Sequence, residues 1–164
     1  MITALNLASL IHACSTIKGR KKIQKIVHLL QVAGYHDDFP YEFGYLHYGP
    51  YSHAVKHDLD VLIAEQLVQE SSTFAGEHAT FEYQPAQELG TALKKIGLHD
   101  PAWKPLARRL SEFTPQRLEA ASTIAYLREK GYSEDDLRSR FQELKPGLMS
   151  EFQSAITLLQ TFAA

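Results

Sequence analysis

One stretch, 17–69, constrains the fold more than any other part of this chain, because its apolar spacing changes period twice within about fifty residues. Ile23, Ile26, Val27, Leu30 and Ala33 recur at i, i+3, i+4, i+7 and i+10, one face of a helix predicted over 20–33. Gly34 is the expected stop. Phe39, Tyr41, Phe43 and Tyr45 then alternate, which reads as one face of an extended segment reaching Tyr48. Gly49 and Pro50 read as a turn, with Ser52 an N-cap for a helix over 52–66 that turns Val55, Leu59, Leu62 and Ile63 inward. A strand over 67–73, a tip at Ala75-Gly76-Glu77 and a return strand over 80–84 complete a hairpin.

Before this stretch, 4–16 reads as a helix that is apolar on most sides and therefore buried. After it come a helix over 85–96 and, past the prolines at 101 and 105, helical segments near 102–112, 115–130, 133–144 and 147–163. Thr114 and Ser133 are the expected N-caps, and Leu148, Phe152, Ala155, Ile156 and Leu159 the inward stripe of the last helix. The fold class is thus mainly α with a small antiparallel β element. A winged-helix-like core over 1–98 would carry a helical extension over 99–164, packed on the core because its helices are too short to stand alone.

A net charge of −2 gives no overall field to attract nucleic acid, so any such function needs a local patch. The single cysteine, Cys14, excludes an internal disulfide and a multi-cysteine metal site. No apolar run reaches the ~18 residues of a membrane span. The first residues lack a basic segment before a continuous apolar run, so a cytoplasmic protein without a secretion leader is expected.

Three motifs stand in order: GRKKIQKIVHLLQ with the following YLHYGPYS, then DLDVLIAEQLV, and a closing FQELKPGLMSEFQSAITLL. They resemble the signature of the YwgA-like family of bacterial and archaeal proteins and, more distantly, the Panacea domain of SocA-type antitoxins. The resemblance implies a helix-rich, winged-helix-like fold in the cytoplasm. It also implies a protein that neutralises a toxin or presents a partner for degradation.

The candidate site comes from two features. Lys18, Arg20, Lys21, Lys22 and Lys25 follow or flank Gly19 with no acid among them, at a helix start that disfavours cations by roughly 0.3–1 kcal/mol each. They serve an acidic partner or a phosphate, or they are a solvated helix end paired internally with Asp37, Asp38 and Glu42. The segment Tyr48, Gly49, Pro50, Tyr51, Ser52 either presents two tyrosines to a partner or sets a turn whose rings cap the core. The partner- or anion-binding set is accordingly Gly19, Arg20, Lys21, Lys22, Lys25 and those five residues.

The helix over 52–66 occupies the reader position of a winged helix, yet it sets Lys56 against Asp58, Asp60 and Glu65, which disfavours nucleic acid as the partner. The basic helix start keeps that reading open as an alternative, with a phosphate-binding enzyme as a third. His53 and His57 share a face, but Ala54 stands where a metalloprotease needs glutamate, and two exposed histidines are the expectation. Cys14 reads as a small core residue. No catalytic constellation, cofactor or metal is expected. The leading reading is a non-catalytic regulatory or interaction protein whose partner is another protein with an acidic surface, with the 52–66 helix serving mainly as scaffold.

Overall fold

The computed structural model describes residues 2–163. Within them, eight α-helices surround two small antiparallel sheets. The first helix, α1 (Ile2–Cys14), has almost no polar side to give to water, and Leu7, Ala8, Leu10 and Ile11 are completely buried. Its polar residues are used internally: Asn6 Nδ2 donates to the Asp38 carbonyl at 2.9 Å, and Ser9 Oγ to the Leu98 carbonyl at 2.6 Å. Short β1 (Ile17–Lys18) follows, and then α2 (Arg20–Leu30).

Helix α2 runs into a wide π-type turn at Gln31–Tyr35, where Gly34 takes φ +110° and ends it. Its burial is broader than the single stripe expected from its spacing. Every residue from Ile23 to Leu30 is buried, Gln24, Lys25 and His28 among them, because a later helix covers the side opposite α1.

The alternating aromatics do point inward, with Phe39 and Tyr41 buried, but the ladder is short: β2 (Gly44–Leu46) pairs with β3 (Gly49–Tyr51). The expected turn moves. Leu46 pairs with Gly49 and Tyr45 with Pro50, so Gly49 and Pro50 lie in a strand and the connecting turn is His47-Tyr48. Ser52 caps α3 (His53–Ala64), accepting from the Val55 amide at 3.4 Å. Strands β4 (Val68–Ala75) and β5 (His78–Pro85) form the hairpin, and β1 adds to β5 to give the order β1-β5-β4.

Helices α4 (Leu89–Lys95) and α5 (Lys104–Ser111) return to α1, where Trp103 is buried edge-on against Phe39 at 5.0 Å. Helix α6 (Pro115–Glu129), capped by Thr114, presents Leu118 and every residue from Ala120 to Ala125 to the interior and lies along α2. Helix α7 (Glu134–Leu144), capped by Ser133, and α8 (Phe152–Gln160) cover α6, and Phe141 and Phe152 meet at 5.1 Å. The single last helix expected over 147–163 is divided: a 3-10 segment at Pro146–Glu151 precedes α8 and another, Thr161–Ala163, follows it. No helix among the described residues is long and apolar enough to cross a membrane.

At the centre of the α2–α6 seam, His28 Nδ1 and Ser122 Oγ stand 2.6 Å apart, both fully buried. Burial, with a smaller push from Lys25, holds His28 down to about 3, so it folds neutral. In the unfolded chain it titrates near ~6.5, so between those values the unfolded state binds more protons and folding stability falls with acidification. A His28→Asn variant should therefore lose part of the acid sensitivity of the wild type, at up to about 1.4 kcal/mol per pH unit below ~6.5. Urea denaturation of both proteins at pH 5, 6 and 7 measures the difference.

Candidate functional site

Helix α2 holds the β2–β3 hairpin by its polar side chains. Gln24 pairs with the backbone of Ser52 as a neighbouring strand would: Nε2 donates to the Ser52 carbonyl and the Ser52 amide donates to Oε1, each at 2.9 Å. Lys25 Nζ donates to the Pro50 carbonyl at 2.6 Å. From the other side Lys145 Nζ donates to the His47 carbonyl at 2.9 Å and lies 3.4 Å from Glu119 Oε1. Gly49 has φ +91°, and a Cβ there would stand 3.0 Å from Thr123 Oγ1 on α6. Gly49, Pro50 and Ser52 are buried and act as positioning residues, while Tyr48 is 56% exposed and Tyr51 half-buried.

The basic cluster separates into parts. Arg20 is fully engaged: Nη1 with Asp60 and Nη2 with Glu70, both at 2.9 Å, and Nε with the Tyr83 hydroxyl at 2.7 Å. Lys25 is only 3% exposed, and burial pushes it down to about 8, with Glu119 opposing the fall and Lys145 and Lys21 adding to it. Lys18 is exposed, 3.8 Å from Glu82. Lys21 is exposed and sets its Nζ 3.1 Å from the centre of the Tyr48 ring, a cation–π contact. Neither Lys21 nor Lys22 has an acidic partner among the described residues. Internal pairing does occur, but with Asp60, Glu70 and Glu82 in place of Asp37, Asp38 and Glu42.

Between α2, α3 and the hairpin lies a cleft of about 350 Å³. Ile23, Val55 and Leu59 form its floor, Leu46, Tyr48 and Tyr51 its wall, and Arg20, Lys21 and Lys56 its rim. It brings together Arg20, Lys21, Lys25, Tyr48, Gly49 and Tyr51 of the expected set. Gly19, Lys22, Pro50 and Ser52 stand outside it. Helix α3 is more than the scaffold expected of it, because Val55, Lys56 and Leu59 line the cleft directly. Leu46, 45% exposed, was missed in the sequence, where its position beside the alternating aromatics was the available signal.

Two other arrangements resemble chemistry without access to substrate. Ser122, His28 and Glu129 align as nucleophile, base and acid, with His28 Nε2 3.9 Å from Glu129 Oε1, but both Ser122 and His28 are sealed inside. Cys14 Sγ lies 3.6 Å from the Ala107 carbonyl, and burial pushes the thiol up to about 11, which keeps it protonated and unreactive at neutral pH. His53 and His57 are exposed on α3, and among the described residues no three His, Cys, Asp or Glu side chains gather to hold a metal.

No protein-family model matches the chain, and no curated protein matches it. The site's meaning therefore rests on its own geometry.

Gln24→Leu should cost about 1–3 kcal/mol, because it strands the buried Ser52 amide and carbonyl without partners. Gly49→Ala should cost a similar amount, about 1–3 kcal/mol, from the positive φ and the Thr123 contact. Tyr48→Ala, which removes an exposed ring, should stay within about 1 kcal/mol of the wild type. Equilibrium urea unfolding checks all three.

Proposed function

We propose that this chain is a non-catalytic interaction protein of the adaptor or antitoxin type, working in the cytoplasm, and that the α2–α3 cleft receives its protein partner. The observation that carries this reading is an apolar cleft walled by exposed Leu46 and Tyr48 and rimmed by lysine that no internal acid neutralises. Exposed aromatic and aliphatic side chains clustered around a concavity mark interaction sites, and aromatic anchors carry much of the energy there. The free lysines favour a partner with an acidic surface.

The element order supports a winged-helix-like core. Residues run α1-β1-α2-α3-β4-β5, with β1 added to the outer side of β5. The motifs behind the likeness to YwgA-like and Panacea proteins agree with an interaction role, because they converge on one place. Gln24 and Lys25 come from the first, the hairpin from YLHYGPYS, Asp60 from the α3 motif and Lys145 from the closing LKP. A partner-neutralising or partner-presenting activity fits that convergence.

DNA binding is the weaker reading. Lys56, the basic residue of α3, is held 2.9 Å from Asp60, and the β4–β5 hairpin carries Glu70, Glu77 and Glu82 without a lysine or arginine. Phosphate contacts supply much of the affinity for a duplex, and this face would repel them. A phosphate-binding enzyme centred on Arg20 meets the same obstacle, since Asp60 and Glu70 occupy its guanidinium.

The test is affinity capture from the native host with the tagged wild type and a Lys21→Glu/Lys22→Glu variant. The variant should lose the co-purifying partner while its melting temperature is unchanged, because both side chains lack internal partners. Equal capture by both proteins refutes this site. Lys25 is left intact, since reversing a buried charge would unfold the chain.

A further inference from the structure

The Lys21–Tyr48 pair is a ridge between two hollows. On one side lies the apolar cleft. On the other lies a smaller hollow of about 230 Å³, lined by Lys21, Lys22, Lys25, Gln116 and Glu119 beside the start of α6. Lys21, Lys25 and Tyr48 line both, so a ligand passes from one to the other across a single ring.

We propose that the site recognises a linear segment of the partner in which a large apolar side chain stands one or two residues from an aspartate or glutamate. The apolar group fills the cleft and the carboxylate enters the lysine hollow. This rests on the interaction reading above and specifies its partner.

Charge selects the acid. The hollow sets three lysines against one glutamate, and Glu119 is already shared with Lys145 at 3.4 Å. Lys21 and Lys22 have no acidic partner among the described residues, and the lowered Lys25 pKa has the sign of an ammonium short of negative neighbours. The same Glu119 carboxylate repels a dianion more than a monoanion, and the one arginine nearby, Arg20, is occupied by Asp60 and Glu70. A carboxylate therefore fits better than a phosphate.

The cleft itself selects a segment over a small molecule. Small-ligand pockets place a few polar groups to orient what they hold. Here Gln24 is spent on Ser52 and Lys25 on Pro50, and none of the orphaned buried polar atoms among the described residues lies in the cleft. A chain that keeps its backbone at the wet rim and inserts side chains needs no such groups. Successive side chains of an extended segment point to opposite sides, with a rise of about 3.3 Å per residue, so neighbours or next-neighbours straddle the ridge.

The experiment is selection of a displayed random-peptide library on the full chain, with Leu46→Asp as counter-selection. Enriched sequences should carry Leu, Ile or Phe within two positions of Asp or Glu. In fluorescence anisotropy an enriched peptide should weaken about tenfold when its acid is changed to the amide, and by a similar factor against Lys22→Gln or Lys21→Gln. Peptides enriched for apolar residues without an acid overturn the proposal, as does an amide peptide that binds equally. Tighter binding by about tenfold when phosphoserine replaces the acid would make the hollow a phosphate site and overturn the carboxylate assignment. Displacement of the peptide by submillimolar decanoate would reassign the cleft to a small amphiphile. An empty selection overturns the linear segment, while the host-capture experiment decides separately whether a folded partner uses this face.

Discussion

A buried ammonium fixes the geometry of this molecule. Lys25 sits between α2, β3 and α6, donating to the Pro50 carbonyl with Glu119, Lys145 and Lys21 around it. Taking such a charge out of water costs several kcal/mol, which a single carbonyl contact only partly offsets. What the arrangement supplies is register. Gln24, Lys25 and His28 form a polar seam along one side of α2 and meet Ser52, Pro50 and Ser122 respectively. An apolar seam could slide by part of a turn with little loss. This one cannot, because each shift strands a buried donor or acceptor.

The exposed face follows from that seam. With the backbone at 47–52 held from α2 by Gln24 and Lys25 and from the far side by Lys145, the two-residue turn His47-Tyr48 is pushed outward and Tyr48 meets Lys21. Gly49 allows the strand to come within contact of α6, where Thr123 leaves no room for a side chain. The cleft between α2 and α3 is thus a by-product of internal pairing, and its wall is as rigid as the seam behind it.

The parts of the fold that were legible in the sequence are those set by local chemistry. Ser52, Thr114 and Ser133 each cap the helix that follows them, and the Ala75-Gly76-Glu77 tip joins two strands in the expected register. Helix and hairpin content follow the apolar period. The turn before α3 was misplaced because Gly49-Pro50 carries the usual turn signature, whereas the residues that turn, His47 and Tyr48, carry none. Here the glycine answers a close approach to α6, a helix more than sixty residues later in the chain. The basic cluster was legible as a count and illegible as a surface: Arg20 finds Asp60 and Glu70 forty and fifty residues away, and no local reading can see such partners.

Those distant pairings also account for the acidity of α3. Asp60 anchors both Arg20 and Lys56, and Asp58 accepts from the Tyr41 hydroxyl at 2.6 Å. These carboxylates hold α3 to α2 and to the segment before β2, so the charge that argues against DNA on this helix is partly structural. Once Arg20, Lys25 and Lys56 are subtracted as engaged, Lys21 and Lys22 remain as cations with charge to spare beside an apolar cleft. They stand on adjacent positions of α2, about 100° apart around its axis, so they cannot serve the same hollow equally. Lys21 leans onto Tyr48 between the two hollows, and Lys22 faces only the smaller one. Selectivity for an apolar group beside an acid would therefore reside in the offset between these two side chains, which the polar seam of α2 holds constant.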